Sequence, residues 1–582
     1  MSTTAGFVSD DLDASTWDAV EPMFRELTGR EIADSAGLEA WLIDRSELEA
    51  ACSEARARLY INMTCDTSDD AASKAYAAFI EEVEPKLEPA AFELDKRQAE
   101  LFDRVSMDSE RYGVLSRDTA ADVRLFRDEN VPLKTELSKL DQSYDAVCGA
   151  MSVEFDGETK TLPQMAAYQE RTERSIRESA WRKVSQRRLR DREEVDGIYD
   201  KMVSLRDRVG RNAGFGTYTG YAFEAKHRFD YTPEDCLGFH RSVESVIMPF
   251  CASLDSSRKA ALGVDELRAW DLGVDPKGRG PLRPFDGGVD LVTKTRAVMS
   301  ALDSELAGLF ETMGDGANTR GITGGLLDLD SRGGKAPGGY QYMQDRSRKP
   351  FIFMNAAGVH RDVETMVHEA GHAFHSMLCV DEPLLHYRHS PIEFAEVASM
   401  TMELLTMPYW GVKGGFYEDS SDLVRAQRKQ LEGSLSLLPW IATIDAFQHW
   451  VYQNPSHTRQ ERTEAWLGLM ERFGYRGHRV GWTEQDRPAL ETAWQAQGHL
   501  FGVPFYYIEY GIAQLGSLQL WVKSLDEGEA SALAAYKRAL SLGGSRPLPE
   551  LFEAAGISFD FSESMFRRVR EAVESKLAEL PE

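Results

Sequence analysis

The chain has 582 residues, 42% of them hydrophobic and 28% charged, enough apolar matter for a large core or two lobes and too much for a disordered chain. Lys and Arg total 67 against 95 Asp and Glu, a formal charge of -28, which argues against nucleic-acid and anionic-membrane partners because both need a basic surface. No uninterrupted apolar run is long enough to span a bilayer.

The opening segment Met1–Asp11 has no basic start and no apolar stretch, so no secretory leader is expected and the expected compartment is the cytosol. Six cysteines, Cys52, Cys65, Cys148, Cys236, Cys251 and Cys379, lie far apart and form no C-x-x-C pair, which points to reduced thiols.

Taken in chain order, residues 35–150 carry long amphipathic stretches that predict helices, Leu48–Tyr60 and Ala72–Val83 among them. Val153–Gly157 predicts a short strand and a turn at Asp156-Gly157. The heavily charged run Leu162–Arg208 predicts helix with a solvated or inter-helix face and no chemistry. Residues 261–293, with Gly and Pro crowded into Asp275–Pro284, predict a linker or a long surface loop, and a second Gly-rich segment spans Gly314–Gly339. Tyr340–Tyr342 and Pro350–Met354, joined by the polar Gln344–Lys349, fit a hairpin. From Arg361 the helical pattern resumes and runs to the end. The composite is a mainly α protein with a small β element before residue 360.

Half of the 12 histidines fall between His360 and His389, and within that stretch stands His368-Glu-Ala-Gly-His372. Residues i and i+4 share a helix face, so the two imidazoles can grip one Zn²⁺. Glu369, one residue round, then reaches a water beside the metal rather than the metal. Val363, Met366, Val367, Ala370, Phe374, Met377 and Leu378 supply an apolar stripe at helical spacing. Gly371 costs the helix roughly 1 kcal/mol against Ala, tolerable where another backbone approaches closely.

A third ligand must come from downstream. The metzincin continuation is excluded, because Gly and His are replaced by His375 and Leu378. Among Asp381, Glu382, Glu393, Glu396 and Glu403, the first two fall in the loop after the helix. Glu393 reads as part of a capping box with Ser390 at the N-cap and Pro391 at the first helical position. Glu396 lies one turn inside this second helix and is read as the third ligand. Glu403 shares its face and is read as orienting a ligand histidine. His375 is either such an orienting group or an apolar-face histidine with a backbone partner.

HEAGHAFH at 368–375 followed by FAEVASMTMELL at 394–405 resembles the oligoendopeptidase F and thimet oligopeptidase family of zinc peptidases. VEFDGETKTL (153–162), RFDYTPED (228–235) and RAWDL (268–272) resemble segments of the bacterial oligoendopeptidase F branch, and PFIFMN (350–355) resembles the family's edge strand. The resemblance implies two helical lobes around a deep channel, with a small β-sheet beside the HExxH zinc helix. It implies an N-terminal helical region, 1–195, and a catalytic domain, 196–582. His499, Tyr507 and Tyr510 match, by spacing, the family's substrate-contacting His and two Tyr. The His499–Tyr507 loop is one residue longer than in the thimet branch, and a further tyrosine of that branch has no match unless Tyr506 takes its place.

The expected activity is a zinc-dependent endopeptidase, one Zn²⁺ per chain, cutting internal bonds of short oligopeptides. His368, His372 and Glu396 hold the metal, Glu369 is general base, and Tyr507 or Tyr510, with His499, stabilises the oxyanion. An extended substrate is expected to pair with an open edge at Phe351–Met354. Two other readings are a zinc peptidase trimming chain ends in the manner of a dipeptidyl carboxypeptidase, and a non-enzymatic helical scaffold with a chance HExxH.

Overall fold

The structure is a computed structural model that describes residues 6–317, 321–322, 325–474 and 480–581. Residues 1–5 and parts of the 314–339 segment lie outside the described residues. The chain is 69% helical with only small sheets, a mainly α fold. Its apolar residues gather in one large core reaching from Leu140 to Leu577 and in a second core formed chiefly by residues 8–115. No disulfide joins the six cysteines. Among the described residues no helix is long and apolar enough to cross a membrane.

The N-terminal part contains the long helix α1 (Ser35–Cys65), capped where Asp34 accepts from the Gly37 N–H. Strands β1 (Ser152–Phe155) and β2 (Glu158–Thr161) form the expected hairpin, with Ser152 opposite Thr161. Asp156 and Gly157 sit at φ 56° and 79°, the left-handed pair that a tight hairpin turn requires.

The charged run 162–208 is helical, as expected, but not continuous. It breaks into Leu162–Met165, Arg174–Arg190 and Arg192–Asn212, with a short 3₁₀ turn at Ala166–Glu170. The cause is Arg177, only 2% exposed, whose guanidinium donates to the carbonyls of Arg171, Thr172 and Trp270 and to Asp271. A buried guanidinium needs such partners, and here it captures carbonyls that a continuous helix would use internally.

A three-stranded sheet precedes the HExxH helix: β3 (Leu327–Asp330), β4 (Tyr340–Gln344) and β5 (Lys349–Ala356), in the order β3-β5-β4. The expected hairpin is present, Tyr340 pairing with Phe353 and Tyr342 with Phe351. β3, which the pattern did not announce, pairs in parallel with the other side of β5. Phe351–Met354 is therefore a central strand with no free edge, and the sheet edge beyond the hairpin belongs to β4. Four of these residues, Phe351, Ile352, Phe353 and Met354, are fully or almost fully buried, which suits a strand covered on both faces.

Helix α3 (His360–Leu378) packs on β5 and on α4 (Ile392–Thr406), and α4 packs in turn on α6 (Tyr507–Glu527), while α5 (Leu438–Gln453) lies against α6. The Ser390 capping box does not form. Pro391 takes the N-cap position of α4, and the Ser390 hydroxyl donates to the Gly543 carbonyl instead. Glu393 is drawn away because it accepts from the Tyr231 hydroxyl at 2.6 Å and lies 3.7 Å from Arg228.

Candidate metal centre

Asp362 starts α3 by accepting from the N–H groups of Ala357 and Val359. The apolar face, with Val363, Met366, Val367, Ala370 and Phe374, is buried, so the opposite face must carry His368 and His372 outward. Their rings stand 5.0 Å apart at 84°. Nε2 of His368 lies 3.3 Å and Nε2 of His372 3.6 Å from the same oxygen, Glu396 Oε2. One donor atom from each of the three residues lies within 4.8 Å of the other two. Both imidazoles keep about a fifth of their side-chain surface exposed, so the cluster is open to solvent on one side.

Gly371 is what lets the two helices meet. A Cβ there would stand 2.5 Å from Ser399 Cα and 2.7 Å from the Ala398 carbonyl, both backbone atoms of α4. The close approach brings Glu396 under the two histidines.

The surrounding groups hold the donors in place. Glu403 Oε1 lies 2.7 Å from His368 Nδ1, and Gln430 donates to Glu403 Oε2 at 2.9 Å. Ser399 Oγ donates to Glu396 Oε2 at 3.0 Å. Burial opposes charge on Glu396, but His372, His368 and Ser399 outweigh it and hold the carboxyl down to about 2. Burial, the largest effect, together with neighbouring His368 pushes His372 down to about 4 despite Glu396, keeping its imidazole neutral. Two imidazole nitrogens and an ionised carboxylate converging on one point fit a divalent cation of zinc type.

Glu369 is 8% exposed. Burial, only partly offset by His368, pushes its carboxyl up to about 7, and the backbone of Gln341 hydrogen-bonds to it. Gln341 belongs to β4, so the open sheet edge runs beside this carboxyl.

The late His/Tyr segment reaches the same place. His499 lies 5.5, 5.0 and 5.9 Å, ring to ring, from Tyr506, Tyr507 and Tyr510. Gln497 Nε2 donates to His499 Nδ1 at 2.8 Å and its Oε1 accepts from Tyr507 at 3.0 Å, a clamp that turns Nε2–H of His499 away from Gln497. It is Tyr506 that touches the cluster, its hydroxyl 3.4 Å from Glu396 Oε1, with the Tyr510 ring 5.0 Å from its own and tilted by 58°.

The other candidates stand elsewhere. Glu382 is paired with Arg111, its Oε2 accepting at 2.9 Å. His375 is buried against Phe394, its Nε2 without a partner, and burial pushes it down to about 3. Sequence reasoning passed over Ser399, Gln430 and Gln497. Ser399 at i+3 from Glu396 was legible as a local partner, whereas Gln430 and Gln497 carry no periodic signal.

Three comparisons bear on this centre. The sequence model of peptidase family M3 matches residues 167–571. Two curated relatives are named oligoendopeptidase F homologs: one from Borreliella burgdorferi, 27% identical over 210 residues, covering 35% of this chain and 34% of the relative, and one from Mycoplasma pneumoniae, 25% identical over 217 residues, covering 36% and 34%. The aligned stretch thus spans about a third of the length of these relatives. Among solved structures, PZ peptidase A with inhibitor 2 superposes with a TM-score of 0.86 at 25% identity, covering 97% of each chain.

Proposed function

The chain belongs to peptidase family M3, and on that premise we propose that it is a zinc-dependent endopeptidase hydrolysing internal bonds of short oligopeptides. The observation that carries the reading is the convergence of His368, His372 and Glu396, with Glu369 beside them. His368 Nε2, His372 Nε2 and a Glu396 oxygen would hold the metal, which when bound supplies Lewis acidity toward a peptide carbonyl and toward water.

The chain's own groups do the rest. Glu369 accepts a proton from the attacking water and passes it to the leaving amide nitrogen, a task open to a buried carboxyl beside the donor cluster. Tyr510, Tyr506 or Tyr507 and the His499 Nε2–H supply donors for the developing oxyanion. An extended peptide would add to the β4 edge at Tyr340–Gln344 rather than to Phe351–Met354, whose two sides are already paired. The acidic chain argues against nucleic-acid and anionic-membrane partners, and the cytosol remains the compartment of choice. The second core at residues 8–115 supports setting an N-terminal helical region, 1–195, apart from a catalytic domain, 196–582.

The test is a peptide acetylated at its N-terminus and amidated at its C-terminus, incubated with the purified chain and analysed by mass. Internal fragments that vanish on metal chelation and return with zinc are expected. An intact blocked peptide alongside end-trimming of the same peptide with free termini would move the assignment to a trimming peptidase, and no cleavage of either with metal bound would overturn it.

A further inference from the structure

A second cluster of donor side chains lies away from the HExxH helix. Helix α2 (Pro233–Ser242) carries Cys236 and His240, and α5 carries Asp445 and His449. Each pair is i and i+4, so each places two donors on one helix face, the spacing that His368 and His372 use. The faces meet. One donor atom each from Cys236, Asp445 and His449 lies within 4.8 Å of the other two, as compact as the catalytic cluster. His240 Nε2 stands 2.9 Å and His449 Nε2 3.3 Å from Asp445 Oδ2.

Nothing in this group faces solvent. Cys236, His240 and Asp445 are wholly buried and His449 is 2% exposed. Phe223, Phe473 and Phe505 pack their rings against the histidines. A buried Asp–His pair accounts for only part of the cluster. It satisfies Asp445 Oδ2 and His240 Nε2, with His449 Nε2 at a longer 3.3 Å, while Asp445 Oδ1, His240 Nδ1 and His449 Nδ1 have no hydrogen-bond partner. Three such atoms in one spot are costly, at about 1–3 kcal/mol for each buried group left unsatisfied.

We propose that Cys236, Asp445 and His449, with His240 at hand as fourth donor, form a second metal site, a structural one for a zinc-type divalent cation bridging α2 and α5. A thiolate and a carboxylate together cancel the charge of such an ion, which is what lets a charged group remain in an apolar interior. Mixed sulfur, imidazole and carboxylate donors suit tetrahedral zinc. Burial, the largest effect, raises the Cys236 thiol well above its ordinary value and Asp445 adds to it, so metal binding would release its proton. Full enclosure makes the ion part of the folded core, loaded as the chain folds and without a position for substrate.

Cobalt distinguishes the two sites, because the His368–His372–Glu396 cluster contains no sulfur. The full chain is produced in zinc-depleted medium supplied with cobalt. Two metal equivalents per chain and a near-ultraviolet sulfur-to-cobalt charge-transfer band are expected. Glu396→Ala should shed one equivalent and keep the band, whereas Cys236→Ser should shed one equivalent and lose it. A folded wild-type chain that holds cobalt at a single equivalent without the band overturns the proposal, as does a band that survives Cys236→Ser. Should Cys236→Ser fail to fold, the wild-type spectrum and stoichiometry still decide.

Discussion

Glu403 Oε1 lies 2.7 Å from Nδ1 of His368, while Nε2 of the same ring faces Glu396 at 3.3 Å. The contact selects which ring nitrogen is presented to the centre, and Gln430 holds Glu403 in turn. Replacing Glu403 by Ala should weaken metal binding by about 10- to 100-fold, the range typical for loss of a carboxylate behind a histidine ligand. Competition against a chromophoric chelator measures it, and an unchanged affinity would remove the orienting role.

Glu369→Gln keeps the shape of the side chain and leaves the three donors untouched. Metal content should stay at the wild-type level while kcat falls by about 10²- to 10⁴-fold, the usual contribution of a general base. Near-normal turnover by this variant would end the assignment of Glu369.

Gly371→Ala sets helix propensity against packing. In an open helix the change would gain about 1 kcal/mol. Here the new Cβ would stand 2.5 Å from Ser399 Cα, so two backbones would have to part. Overpacking of this kind costs about 1–3 kcal/mol, and the net effect should be a lower urea midpoint together with weaker metal binding, since Glu396 moves with α4. A stabilised variant would show that the helices can separate freely.

Asp271 gives a pH dependence far from the centre. Burial opposes its charge, but hydrogen bonds from Arg174, from the Arg268 N–H and from Arg177 prevail and hold the carboxyl below its ordinary value. A folded-state value lower than the unfolded one means that the stabilisation is complete above the unfolded value, near ~3.9, and is lost as pH falls through the folded value. Urea midpoints should therefore separate wild type from Asp271→Asn at neutral pH, where the variant leaves Arg177 buried without its counter-charge. The gap should narrow below about pH 4 as the wild-type carboxyl protonates. A gap that widens on acidification would contradict the sign.

How much of this was legible beforehand follows from the range of the interactions. The i,i+4 pair His368 and His372, the Asp156-Gly157 reversal and the β4–β5 hairpin are local events, written in spacing and turn chemistry over a few residues. Glu396 could be chosen among the downstream carboxylates because it sits one turn inside an apolar helix. The helical reading of 162–208 holds, but its interruptions were not legible, since Arg177 is buried by carbonyls brought from as far as Trp270. Likewise Ser390 lost its expected capping role to the Gly543 carbonyl.

By itself, then, the order of residues determined which side chains share a helix face and which segments turn, because 3.6-residue and two-residue periods act within one element. Only the folded arrangement decided which strand keeps an open edge, which of Tyr506, Tyr507 and Tyr510 touches Glu396, and that Cys236 and His240 meet Asp445 and His449 more than 200 residues later. Those outcomes depend on helices and strands packing across long stretches of chain, where burial and close backbone approach, not local spacing, choose the partners.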